Sequence, residues 1–286
     1  MSVNEGSIVA GIVLYNPEIN RLLSNINTIL FQVSRLFIVD NGSNNISEIR
    51  QILDSIEDDG RIQLIENNCN KGIAAALNQI CSKGKLQSAQ WALTLDQDSV
   101  CPSNIIEEYC KYIDCEELGM VCPAILDENL HSAAVNDSRY YVDSCITSGS
   151  MIRLSAWESV GGFWNDLFID MVDFDMCWSL KHAGYKILQI GSVGLSHEIG
   201  KGKMVKFKGN LVPDYSHNPV RDYYIVRNCI LVGRKHKRKY QCSRWILRRF
   251  YLVNRYETER WKKNRMMCLG LVDGIFGNVG VYSHRI

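Results

Sequence analysis

The sequence predicts an α/β fold, with a mostly parallel central sheet flanked by helices and a helical, basic C-terminal extension. Three observations carry this. Ser7-Ile8-Val9-Ala10-Gly11-Ile12-Val13-Leu14-Tyr15 is a continuous apolar run of the kind buried on both faces of a parallel sheet. Strand-like and helix-like segments then alternate through the first hundred residues, the pattern of strand–helix–strand units. Beyond Arg221 the composition changes: between Arg221 and Arg265 stand thirteen Lys or Arg against only Asp222, Glu257 and Glu259.

Each element has its own signal. Pro17 stands at a helix start, and Ile19, Leu22, Leu23, Ile26, Ile29 and Leu30 repeat at helical spacing. Leu36–Val39 reads as the second strand and ends at Asp40-Asn41-Gly42-Ser43. Ile62–Ile65 is the third, and a helix is expected from Lys71 to about Ser82. Trp91, Leu93 and Leu95 mark a fourth strand, after which Pro102 opens a helix. Further on, a helix is expected over Met176–Ala183, ending at Gly184. A strand over Lys186–Ile190 follows, and then a Gly/Ser-rich loop.

Length, charge and cysteines set the bounds. A chain of 286 residues can bury a sizeable core, as one large domain or one plus an extension. The net charge of +1 implies neither a nucleic acid nor an acidic partner, although it conceals the basic C-terminal segment. The eleven cysteines include no Cys-x-x-Cys pair, which argues against a zinc site. Cys69, Cys81, Cys122 and Cys145 lie among apolar neighbours, where reduced thiols pack as small hydrophobes. No apolar signal segment precedes the first strand, and no run is long enough to span a bilayer. A reducing cytoplasm is the expected compartment.

Ligands of parallel sheets collect at the carboxyl ends of the strands, so the loops there matter as a set. Tyr15-Asn16, Asp40–Ser43, Asn67–Gly72 and Asp96-Gln97-Asp98 all follow strand ends. Along an extended chain Asp96 and Asp98 point the same way, and their carboxylates suit a hard divalent cation whose shell a diphosphate completes. Each loop also has a plain structural reading. Asp-x-Asp occurs in polar turns, Asn41-Gly42 is a common turn pair, and Asn70-Lys71-Gly72 can simply cap a helix. Asp170, Asp173 and Asp175 stand before the expected helix, where acids also suit the helix dipole. A lone histidine such as His197 is usually packed or exposed. The basic C-terminal segment, interleaved with aromatic and aliphatic residues, fits the headgroup region of an anionic bilayer or a helical face packed on the catalytic domain. No nucleic-acid motif accompanies it.

Taken in order, Val39-Asp40-Asn41-Gly42-Ser43, Asn70–Asn78 and Leu95-Asp96-Gln97-Asp98 resemble the family 2 inverting glycosyltransferases of GT-A (Rossmann-like) fold. Thr147–Arg153, Gly161–Asp175 and Gly184–Glu198 continue the match, which covers roughly residues 8 to 230. Within the family the chain is most similar to bacterial rhamnosyltransferases of cell-surface polysaccharide synthesis. The resemblance implies a catalytic domain over 1–215 and a basic, aromatic helical region over 216–286 that attaches to a membrane. It implies nucleotide-sugar contacts from Tyr15, Asp40, Asn41, Lys71, Gly72, Asn78 and Asp96. Asp98 and His197 would hold Mg²⁺ or Mn²⁺, and Asp173 would be the base. Ser148, Gly149, Asp170 and His217 would lie on the donor or acceptor side. Val172 stands where the family carries a Glu in its Glu-Asp-x-Asp pattern, which leaves the base assignment on Asp173. The implied reaction moves L-rhamnose from dTDP-rhamnose to a lipid-linked saccharide, with inversion, at the inner face of the cytoplasmic membrane. UDP-galactofuranose, UDP-glucose and UDP-N-acetylglucosamine are alternative donors, and a non-catalytic, membrane-bound nucleotide-sugar binder is the non-enzyme alternative. A nucleotidyltransferase would need a Gly-rich basic N-terminal loop, which Gly11–Asn16 does not supply.

Overall fold

A computed structural model describes residues 8–57, 60–126, 138–197 and 203–282. In chain order the elements are β1 (Ile8–Leu14), α1 (Ile19–Ile29), β2 (Arg35–Asp40), α2 (Ile46–Asp54), β3 (Ile62–Glu66), α3 (Ile73–Leu86), β4 (Trp91–Asp96), β5 (Ser99–Val100), α4 (Ile105–Cys110) and β6 (Leu118–Leu126). There follow β7 (Arg139–Tyr141), β8 (Ser150–Arg153), α5 (Leu154–Ser159), α6 (Val172–His182) and β9 (Lys186–His197). The chain ends with β10 (Lys203–Phe207), β11 (Asn210–Asp214), α7 (Pro219–Lys235), α8 (Lys239–Tyr256) and α9 (Arg260–Phe276). Two compact units are formed: residues 1–163 with 176–198, and residues 164–175 with 199–286.

The first unit is built on a nine-stranded sheet in the order β3-β2-β1-β4-β8-β6-β9-β5, with β7 also paired to β9. β3, β2, β1 and β4 are parallel neighbours. β8 is antiparallel to both β4 and β6, and β6 is parallel to β9, so these last two run in the direction of β4. The sheet is therefore mostly parallel, and the carboxyl ends of β1 to β4 share one rim. The apolar run of β1 is buried along its whole length, as a strand covered on both faces requires. α1 lays Leu22, Ile26 and Ile29 against the core, and Glu18 caps it by accepting from Asn20 and Arg21 amides.

Three boundaries differ from the sequence reading. α3 begins at Ile73, one residue past the positive-φ Gly72, rather than at Lys71. α6 begins at Val172, so Asp173 and Asp175 lie inside its first turn and only Asp170 precedes it. The Gly/Ser-rich stretch after Ile190 is the continuation of β9, not a loop. A register shift against β6 absorbs three residues between Ile190 and Gly194 there, and such a bulge lets a small-residue stretch stay paired.

The second unit holds the hairpin β10–β11 and helices α7, α8 and α9. α9 lies close along α7 because Gly270 and Gly274 present no side chain there. A Cβ on Gly270 would stand 2.5 Å from the Tyr223 carbonyl oxygen. The basic composition of this region is only partly a surface property. Arg227, Arg249 and Lys263 are buried. Arg249 donates to Asp222 Oδ1 at 2.6 Å and to Glu257 Oε1 at 2.5 Å, and Lys263 meets Glu257 Oε2 at 2.5 Å. Among the described residues no helix is long and apolar enough to cross a membrane.

Candidate active site

The strand-end loops of the first unit are laced into one rim. Asn41 N–H donates to the Leu14 carbonyl and Asn67 N–H to the Asp40 carbonyl, both at 2.8 Å. Asn67 Nδ2 donates to Asn41 Oδ1, and Asn41 Nδ2 reaches the Gly72 carbonyl at 3.0 Å. Asn16 joins from β1, its N–H donating to Ser43 Oγ while its Oδ1 accepts from Asn44 N–H. Asp40 is buried and turns its carboxylate on the Gly42 and Ser43 amides, an Asx-type turn that fixes the loop. Tyr15 stands 49% exposed at the mouth of this rim, with Lys71 exposed beside Gly72.

The Asp96–Asp98 turn is held by its backbone. Asn25 Nδ2 donates to the Asp96 carbonyl at 2.9 Å, and Arg21 Nε donates to the Asp98 carbonyl at 2.8 Å, both from α1. Tyr15 N–H donates to Gln97 Oε1, tying the turn to β1. Ser148, only 1% exposed, accepts from Asp96 N–H at 3.0 Å and donates to Ser99 Oγ at 2.7 Å. Both aspartate carboxylates are half-buried at the rim. β5 pairs Ser99 with His197 across an antiparallel register, which sets the His197 backbone one residue beyond Asp98 in the pairing. The His197 side chain lies outside the described residues.

Three of the residues expected at the ligand have framework partners in the structure. Asn78 gives its amide to the 157–163 turn: Oδ1 accepts from Trp157 Nε1 and Phe163 N–H, and Nδ2 donates to the Phe163 carbonyl. Ser148 is buried behind the Asp96–Asp98 turn. Gly149 is buried too, and its carbonyl accepts from Tyr109 Oη at 2.8 Å. A Cβ on Gly149 would meet Pro123 at 2.9 Å. Of the three, Ser148 bonds directly to the Asp96–Asp98 turn.

In the second unit the segment before α6 is strained. Phe168, Asp170 and Met171 all take positive φ, at 65°, 64° and 65°. Such backbone persists only where its surroundings over-determine it. Here α7 does so. Asn228 Nδ2 donates to the carbonyls of Leu167, Ile169 and Asp170, and Arg227 to those of Asp166 and Leu167. Asp170 receives Arg221 in a forked pair at 3.0–3.2 Å. Burial pushes the Asp170 carboxyl above the usual range, and Arg221 pulls it back. Asp173 Oδ1 accepts from Phe174 N–H at 2.8 Å in the first turn of α6. Asp175, 1% exposed, joins that turn to the end of α7 through His236 Nε2 and Lys235 Nζ, each at 2.8 Å. His217 is pushed down to about 3 by burial and by the Arg221 and Arg249 cations, so at neutral pH its ring carries no charge.

A divalent cation fits the first unit's rim in donor type. Asp96 and Asp98 offer hard oxygens on one turn, as Mg²⁺ and Mn²⁺ prefer. Among the described residues no cluster of three or more His, Cys, Asp or Glu forms a complete cage. Arg21, Asn25, Gln97, Arg221 and Asn228 are residues that sequence reasoning missed. Only Gln97 carried a signal, its place between the two aspartates.

The glycosyl transferase family 2 model matches residues 10–160, more than half of the chain. The chain belongs to that family. It is also 30% identical over 246 residues to the dTDP-rhamnosyl transferase RfbF of Shigella flexneri, covering 80% of each chain. Two solved structures share the fold. One is the mannosyltransferase PcManGT of Pyrobaculum calidifontis in complex with GDP-Man and Mn²⁺, with a TM-score of 0.61 at 15% identity over 94% of this chain and 75% of the other. The other is GalNAc-T7 with UDP, GalNAc and Mn²⁺, with a TM-score of 0.57 at 12% identity over 83% of this chain. The chain spans 54% of the length of GalNAc-T7. The fold and family expected from the ordered motifs are therefore those of a family 2 glycosyltransferase, similar to a bacterial rhamnosyl transferase.

Proposed function

We propose that this glycosyltransferase moves L-rhamnose from dTDP-rhamnose to a hydroxyl of a lipid-linked saccharide, with inversion at the anomeric carbon. The observation that carries the reading is the Asp96–Asp98 turn, fastened by Tyr15, Arg21, Asn25 and Ser148 into the rim where the β1, β2, β3 and α3 loops meet. The donor is carried over from the Shigella flexneri relative, whose name states dTDP-rhamnosyl transfer. Tyr15, Asp40, Asn41, Lys71, Gly72 and Asp96 form the nucleotide side, with Asn78 of α3 belonging to it through the 157–163 turn that it bonds. Ser148, which bonds the Asp96–Asp98 turn, and Gly149, Asp170 and His217 belong to the donor or acceptor side.

Asp98 and His197 would hold Mg²⁺ or Mn²⁺, and Mn²⁺ is named with two of the structural neighbours. A cation held by them would supply positive charge against the departing diphosphate. Asp173 accepts the proton of the acceptor hydroxyl as that oxygen bonds to the anomeric carbon. The carbon–oxygen bond to dTDP breaks on the opposite face, and its electron pair leaves with the diphosphate. One base suffices for a single displacement. Asp170, held by Arg221, orients the acceptor. The enzyme works on the cytoplasmic side of the membrane, where its basic helical region associates with the bilayer.

A panel of nucleotide sugars assayed by mass shift on a lipid-linked acceptor tests the donor. dTDP-rhamnose should give the product, and preferential turnover of UDP-galactofuranose, UDP-glucose or UDP-N-acetylglucosamine would replace the donor assignment. Asp173→Asn should lower turnover by about 10²-fold or more with unchanged melting, since general base catalysis contributes on that order. A folded Asp173→Asn protein with full activity would remove Asp173 from the mechanism.

A further inference from the structure

A cavity of about 690 Å³ opens between the β10–β11 hairpin and α8, and no residue assigned to the reaction lines it. One wall is a single helical stripe: Tyr240, Arg244, Leu247, Arg248 and Tyr251 recur at the three- and four-residue spacing of one α8 face. The opposite wall is Phe207 and Lys208 of the hairpin. The frame is fixed from behind, since Tyr256 Oη donates to the Lys206 carbonyl at 2.6 Å and Phe207 packs edge-on against Tyr251 at 5.2 Å.

Three cations converge here. The Arg248 guanidinium and the Lys208 ammonium lie over the Phe207 ring at 5.9 and 5.8 Å, and Arg244 lies over Tyr240 at 5.9 Å. Among the described residues no acidic side chain lines the cavity, and α8 contains no Asp or Glu from Lys239 to Tyr256. Among the described residues the buried Arg248 Nε has no hydrogen-bond partner, so that donor is not spent on a carboxylate or carbonyl of the described chain. Apolar surface accompanies the charge: Tyr240 is 78% exposed and Leu247 69%. Cations without a counter-carboxylate select an anion. Exposed tyrosine and leucine on the same stripe select one that sits at an apolar boundary, where such side chains place a polar tip in water and a body in lipid.

We propose that this cavity docks the phosphate headgroup of an anionic phospholipid and so holds the enzyme on a bilayer surface. The inference deepens the lipid-linked acceptor reading and rests on it for its purpose. Its test is independent, because vesicle binding is measured without donor or acceptor. The full chain is floated with phosphatidylcholine vesicles lacking or containing phosphatidylglycerol. Wild type should float only with the anionic vesicles. Arg244→Gln combined with Arg248→Gln should weaken that binding by about tenfold or more, as the loss of two basic residues at an anionic surface implies. Lys208→Gln, on the other wall, should weaken it less and covers the case in which the double variant fails to fold. Equal flotation of the variants and wild type overturns the proposal, and so does equal binding of wild type to neutral vesicles. Tighter capture by single-stranded RNA than by vesicles, lost in the same variants, assigns the cavity to nucleic acid and also overturns it. Turnover of dTDP-rhamnose in detergent should be retained in the double variant. Absence of turnover from every donor in wild type would count against the proposed reaction alone.

Discussion

Ser148 shows how a single buried hydroxyl governs the metal-capable turn. It accepts from Asp96 N–H and donates to Ser99, so Ser148→Ala removes both hydrogen bonds at once. The expected cost is about 1–3 kcal/mol of stability by urea denaturation. The Mn²⁺ concentration for half-maximal turnover should rise about tenfold or more, as loss of a supporting hydrogen bond does at metal sites. An unchanged metal requirement would separate Ser148 from the site. His217 makes a second residue-scale prediction. Its folded-state value of about 3 lies below the ordinary histidine range, so the unfolded chain takes up a proton near pH 6.5 that the folded protein refuses. Stability from this group is complete above that pH and is lost as pH falls towards 3. Asp222, pushed up to about 6 by burial against the pull of Arg249, acts in the opposite sense, because the folded state takes its proton first as pH falls through 6. His217→Gln removes only the first effect. Its stability relative to wild type should therefore climb as pH drops from 7 to 4.5, by at most about 1.4 kcal/mol per pH unit. A pH-independent difference in melting would contradict the assigned environment.

Among elements, α7 organises the second unit. One of its faces carries Arg227 and Asn228, which hold the strained 166–170 carbonyls, and its backbone lies against α9 at Gly270 and Gly274. Those glycines are an unfavourable choice for helix propensity, so replacing one by Ala gains about 1 kcal/mol locally. Close approach wins over propensity here. A Cβ on Gly270 falls 2.5 Å from the Tyr223 carbonyl oxygen and 3.2 Å from Arg227 N, and both neighbours are backbone that cannot rotate away. Gly270→Ala should therefore lower the urea midpoint, with overpacking of about 1–3 kcal/mol exceeding the propensity gain. A raised midpoint would show that α9 packs less tightly on α7 than described. The register of β9 makes the same point about local signals. The stretch Gly191–Ser196 reads as a loop, yet pairing with β6 across a bulge keeps it in the sheet.

For the whole molecule, nucleotide and cation should act together. dTDP with Mn²⁺ at about a hundred times its dissociation constant should stabilise the folded chain by about 2.7 kcal/mol, read as a rise in melting temperature that a chelator removes. A nucleotide shift of equal size after chelation would rule out metal binding by Asp98 and His197. Sequence by itself determined the parallel half of the sheet, because buried strands and amphipathic helices have distinct periods that survive in one dimension. It also determined the rim: parallel strands bring their carboxyl ends to one side, so Tyr15, Asp40, Gly72 and Asp96 were legible as neighbours before any contact was seen. Tertiary structure alone decided which polar residues hold the frame. Asn78 spends its amide on Phe163, Ser148 on Asp96, and Asp170 its carboxylate on Arg221, partners 85, 52 and 51 positions away. The basic C-terminal segment divided in the same way, with Arg249 and Lys263 drawn inside to meet Asp222 and Glu257 while Arg244 and Arg248 remained on the α8 stripe. Side-chain type states what a residue can bond, and only the packed chain states which partner is within reach.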